Sequence, residues 1–166
     1  MNLIFYVAGA ITLIASAFAI TRVSPVYALL NFVVSLLGMG VIFYVLGAPF
    51  AAALEVIVYA GAIMVLFLFV IMMLSLDLAS SAREKSWIAR SYWVLPILLT
   101  ALLGIELMRV LLNTKGPVTA WRVVSPQEVG IRLFSTDLGA VELASMLLLA
   151  GLIGAFHLGR PSKRND

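Results

Sequence analysis

Cysteine is missing from this chain of 166 residues, and histidine occurs once, at His157. The first absence excludes disulfides and thiolate-held iron–sulfur clusters within the chain. With a single imidazole, a zinc site of Cys and His ligands is excluded as well. Charge is scarce: Asp, Glu, Lys and Arg make up 11% of the residues, against about 25% in soluble domains. The basic residues are spread through the loops rather than gathered on one face, so a net charge of +3 carries no nucleic-acid signal.

What fills the chain is apolar surface, 63% of its residues. A span needs about 20 apolar residues at roughly 1.5 Å rise each. The sequence therefore predicts an all-α integral membrane protein, a single membrane domain over 1–166 with five transmembrane helices at about 3–21, 26–46, 50–76, 92–112 and 137–158. Ala15-Ser16-Ala17 has the look of a signal-peptide cleavage site, yet no basic residue precedes the first apolar run, which reads as a span. Pro25 suits a helix start, and Arg22 before it can anchor at the interface. Ser35, Gly38 and Gly40 in the second span are expected close-packing points. Gly47-Ala48-Pro49 is a tight uncharged turn, which makes spans two and three antiparallel neighbours.

After the third span come Asp77 and a polar loop over 79–86, then Trp87, Tyr92 and Trp93, which mark an interface. A non-spanning stretch at about 113–136 carries Gly116, Pro117 and Pro126 as breakers. It also holds an apolar patch, Val129, Ile131, Leu133 and Phe134, expected on the membrane surface or on a partner. Seven of the 11 basic residues, Arg22, Arg83, Lys85, Arg90, Arg160, Lys163 and Arg164, fall on one side of the five spans, and Arg109, Lys115, Arg122 and Arg132 fall on the other. That bias predicts a periplasmic N-terminus and a cytoplasmic C-terminus.

The third span, FAAALEVIVYAGAIMVLFLFVIMMLSL, carries one charge, Glu55. A carboxyl inside a membrane is costly, on the order of a few kcal/mol, and so is a functional candidate. Tyr59 follows four residues later on the same helical face. A carboxyl with no basic neighbour can hold and release a proton near neutral pH, and Glu, Tyr and water are the usual material of membrane proton relays. The plainer reading is a neutral, hydrogen-bonded Glu that locks helices together. Ala60-Gly61-Ala62 is either a close-packing patch or the seat of a π-bulge that lets the helix change register. Glu142 in the fifth span stays open between proton transfer and a subunit contact. Glu106 and Arg109, three apart, read as an ion pair at the interface. His157 reads as an interfacial anchor at a helix C-terminus.

These residues carry a resemblance. ALEVIVYAGAIMVLFLFVIMML, Ala53 to Leu74, is similar to the third transmembrane helix of the J-type subunit of bacterial proton-pumping NADH:quinone oxidoreductase, respiratory complex I. AVELASMLLLAGLIGAFHLGR, Ala140 to Arg160, resembles its fifth helix, and Val129 to Phe134 and SPVYALL resemble two shorter stretches. The fourth span matches weakly. The resemblance implies a subunit of the membrane arm in the bacterial inner membrane, with lipids and the A, H, K, L, M and N type subunits as partners. It implies no redox chemistry by this chain and no cofactor bound to it, the FMN, iron–sulfur clusters and quinone lying in partner subunits. It also implies an α/π-bulge gate on the central proton path, mapped here to Tyr59, Ala60, Gly61, Ala62 and Val65, with Glu55, Tyr59 and Glu142 as proton-path candidates. Two other readings stand beside it: a purely structural scaffold of the membrane arm, and an accessory subunit of a cation/proton antiporter.

Overall fold

The computed structural model describes residues 3–22, 24–73, 91–112 and 122–160. All regular structure among them is helical: α1 Leu3–Thr21, α2 Pro25–Val45, α3 Pro49–Met73, α4 Ser91–Leu112, α5 Pro126–Ser135 and α6 Leu138–Gly159. Four of these, α1, α2, α3 and α6, are long and apolar enough to cross a membrane. α4 is 22 residues long. The polar loop with Asp77 and Trp87, the breakers Gly116 and Pro117, and the basic tail beyond Arg160 lie outside the described residues. Contacts divide the chain into two units, Met1–Val124 and Ser125–Asp166.

In the first unit α2 is the central element. α1 buries Ala8, Ile11, Thr12 and Ala15, the i, i+3, i+4, i+7 spacing of a single helical stripe. α2 meets it with Asn31, Val34, Ser35, Gly38, Val41 and Val45, and Leu99 and Leu103 of α4 complete the cluster. Small residues let α1 and α2 approach closely. A β-carbon at Gly38 would run into Thr12 Oγ1 and would lie 3.5 Å from the Ala8 carbonyl oxygen. The seam also carries hydrogen bonds that an apolar solvent cannot replace. Ser16 Oγ and Ser35 Oγ are 2.7 Å apart, and Ser35 Oγ donates to the Thr12 carbonyl at 3.2 Å. Thr12 Oγ1 donates to the Ala8 carbonyl at 2.9 Å, which leaves no stray donor in the contact. At the end of α1 the Arg22 guanidinium sits 5.3 Å from the centre of the Phe18 ring, a cation–π contact that suits its anchoring position.

The turn from α2 to α3 is built by backbone. Gly47 takes φ 86°, a left-handed conformation that glycine adopts without strain. The Gly47 amide then donates to Tyr44 O and the Ala48 amide to Phe43 O, both at 3.0 Å, which satisfies the last carbonyls of α2. Pro49 starts α3 at a position where its missing N–H costs nothing. The Val124 amide donates to Gly47 O at 2.9 Å and so fastens the end of the first unit to this turn.

The second unit is α5, a short turn and α6. The stretch expected only as a patch in a loop is helical from Pro126 to Ser135. Its start is written in Ser125-Pro126-Gln127-Glu128: Ser125 Oγ accepts from the Glu128 amide at 3.2 Å, with proline at the first turn. That capping pattern is the signal by which sequence reading could have found the helix. Arg132 Nε pairs with Asp137 Oδ2 at 3.4 Å, and the Thr136 and Asp137 amides both donate back to the Arg132 carbonyl at 3.0 Å. These contacts stiffen the corner before α6. Ile131 and Phe134 are exposed, and no residue of α6 is buried.

Candidate functional site

The middle of α3 is not an α-helix. From Glu55 to Ile63, nine residues, the backbone is a π-helix, with α-helix before it (Pro49–Leu54) and after it (Met64–Met73). At the far end the Met64 amide reaches back to both Gly61 O and Tyr59 O, the second being five residues earlier as π geometry requires. π-helices of this length are rare, and short ones gather at functional sites.

The local sequence allows it. A β-carbon built on Gly61 would lie 3.2 Å from the Val56 carbonyl oxygen, five residues earlier. A β-carbon at position 61 would need the Val56 carbonyl, the one a π turn aims at it, to give by a few tenths of an ångström. Packing supplies the reason. The positions that α3 turns toward the rest of its unit are Ala52, Ala60 and Met64, all buried, and Val56 between them faces Gly40 of α2, where a β-carbon would lie 3.3 Å from its Cγ2. Their spacing is four residues, and in an α-helix of 3.6 residues per turn a four-residue series drifts by about 40° per step. Over the three steps from Ala52 to Met64 an α-helix would carry the series about 120° off the facing helix. The wider π turns hold it in place.

Glu55 opens the π segment and is half-buried; Tyr59, in its middle, is 52% exposed. Ala60, Gly61 and Ala62 all lie within it, whereas Val65 lies beyond it, in the α-helical continuation. The π segment begins four residues before Tyr59, at the acid, and ends at Ile63. Glu142 is on α6 in the other unit and is exposed, its backbone carbonyl accepting from Ser145 Oγ at 2.7 Å. Glu106 is 5% exposed on α4, and Arg109 Nη1 stands 3.3 Å from its Oε1, so the i,i+3 pair is formed. Its partner is largely exposed, so the pair is a buried carboxylate held by a solvent-side guanidinium. No cluster of acids and histidine able to hold a metal ion occurs among the described residues.

The arrangement places one carboxyl, Glu55, at the junction between α-helical and π-helical backbone.

Comparison with known proteins places the chain. The family model for NADH-ubiquinone/plastoquinone oxidoreductase chain 6 matches residues 15–158. The chain belongs to this family. It is similar to NADH-quinone oxidoreductase subunit J of Pseudomonas aeruginosa strain PAO1, 48% identical over 161 residues, covering 96% of this chain and 97% of that protein. The subunit J of Escherichia coli K12 is 44% identical over 166 residues, all of this chain and 90% of its own length. That of Buchnera aphidicola from Schizaphis graminum is 39% identical over 163 residues, or 98% and 100%. The likeness extends over the whole chain, α4 included.

Proposed function

We propose that this chain is a membrane-arm subunit of a bacterial proton-pumping NADH:quinone oxidoreductase and that α3 is a two-state gate within it. The observation that carries the reading is the π segment Glu55–Ile63, with an acid at its start and a glycine, Gly61, whose missing side chain makes room for the Val56 carbonyl. In this reading the chain performs no redox step. FMN, the iron–sulfur clusters and quinone belong to partner subunits, in keeping with a chain that has no thiolate to offer, and its neighbours in the membrane arm are the A, H, K, L, M and N type subunits. Quinone reduction in those partners biases α3 between π and α forms, and the change connects or breaks a proton path through Glu55 and Tyr59, with Glu142 as a further station. A gate of this type is a bistable element biased from a neighbouring site.

The same reading gives α4 the role of a fifth span, so that the protein sits in the inner membrane with its N-terminus periplasmic and its C-terminus cytoplasmic. The excess of Lys and Arg at one set of helix ends supports that orientation. The scaffold reading has one observation in its favour: α6 buries none of its residues within its own unit, which suits a helix covered by neighbours.

The gate is tested by Gly61→Val in the assembled complex, in native membranes. Quinone-linked proton pumping is expected to fall while NADH oxidation by an artificial acceptor at the peripheral arm continues. Pumping at the unmodified rate would remove the gate and leave the scaffold.

A further inference from the structure

Two glycines bracket one residue of the π segment. On the far side of Val56, Gly61 leaves room for its carbonyl oxygen, which a β-carbon there would approach to 3.2 Å. On the near side is Gly40 of α2. A β-carbon there would lie 3.3 Å from Val56 Cγ2 and 3.6 Å from the Ala52 carbonyl oxygen. Gly40 and Gly38 are two residues apart, about 200° around the helix. Gly38 therefore meets α1 while Gly40 meets α3, and the two contacts have separate jobs.

We infer that Gly40 is a positioning residue for α3: it is the bare patch of backbone on which the first turn of the π segment is seated. The inference rests on the gate reading of α3. Val56 is the second residue of the π segment, and Ala52, one turn earlier, belongs to the α-helical part. A β-carbon at position 40 would meet both, so α2 faces the joint at which the helix changes form. Ala52 is buried in the helix after Pro49, and its carbonyl at 3.6 Å would be in ordinary van der Waals contact with that carbon. Val56 is less covered and can move. A side chain at position 40 therefore displaces Val56 rather than Ala52, and with it the carbonyl that faces Gly61. The π turn loses its seat while the remainder of α3 keeps its packing through Ala60 and Met64. Closely packed interfaces between helices respond to such a push by switching between discrete arrangements rather than by deforming smoothly.

The test uses the whole complex in native membranes, with Gly40→Ala, Gly40→Val and the double variant Gly40→Ala with Val56→Ala. Assembly is read from NADH oxidation by an artificial acceptor, and coupling from quinone-linked proton pumping per assembled complex. Gly40→Ala is expected to lower pumping about twofold to fivefold, and Gly40→Val about tenfold or more. Removing the Val56 methyls is expected to restore at least half of what Gly40→Ala loses, because the two changes share one contact. A purely structural role would move assembly and leave pumping per complex unchanged, which overturns the inference, as does a double variant no better than Gly40→Ala alone. Gly61→Val measured alongside separates the two readings. If it impairs pumping and Gly40→Val does not, the seat at Gly40 is wrong and the gate stands. If Gly61→Val leaves pumping unchanged, the gate falls and this inference with it.

Discussion

Replacing Gly61 by alanine separates the π form of α3 from ordinary helix propensity. Alanine is favoured over glycine in a helix interior by about 1 kcal/mol, but that gain comes from the unfolded reference and applies to π and α forms alike. What differs between them is the contact with the Val56 carbonyl oxygen, 3.2 Å from the new β-carbon in the π form. In an α-helix each residue carries its β-carbon without meeting the carbonyl five positions back. Crowding one methyl into a packed site costs about 1 kcal/mol, at the lower end of the usual overpacking range. That is roughly a fivefold shift of the π/α ratio toward α. Valine brings two more methyls, and about 2–3 kcal/mol moves the ratio by 30-fold or more. The assay is NADH-driven acidification in membrane vesicles with quinone as acceptor, divided by NADH oxidation with an artificial acceptor. Pumping is expected to fall in the order Gly, Ala, Val, with the shortfall growing as the side chain does. Equal pumping in all three at equal assembly would refute the argument. A loss in alanine as large as that in valine would refute the steric account, since the two differ only in bulk at the same carbonyl.

Other perturbations probe neighbouring parts. Glu55→Gln keeps the size of the side chain and removes its titration: the relay reading expects fewer protons per NADH in normally assembled complex, whereas unchanged stoichiometry would leave Glu55 as a helix lock. Gly38→Val drives a side chain into Thr12 Oγ1 at the α1–α2 seam and is expected to cost about 1–3 kcal/mol, seen as less assembled complex in native gels with normal turnover in what remains. Arg109→Ala strips the guanidinium from a carboxylate that is 5% exposed. The exposed side of that pair limits the loss to on the order of 1 kcal/mol, and Glu106→Gln in the same chain is expected to recover it, as read from thermal stability of the purified complex.

The amino-acid sequence by itself determined the class of the molecule and the starts of its helices. Long apolar runs leave no alternative in lipid but helices, and Ser24-Pro25, Gly47-Ala48-Pro49 and Asp137 end or begin them where local chemistry demands. It also singled out Glu55, Tyr59 and Ala60-Gly61-Ala62, since a lone acid and a run of small residues stand out against apolar neighbours. The helix at Pro126–Ser135 was legible in its Ser125-to-Glu128 cap but was masked by the breakers around it. Tertiary structure decided the rest. Where the π segment begins and ends depends on which face of α3 must stay against α2, and that face is defined only once Gly40 meets Val56 and Ala52. Gly38 and Gly40 look alike in sequence, two small residues in one apolar helix. Rotation about the helix axis sends one to α1 and the other to α3, and only packing shows that the second of them lies under the turn where α3 changes form.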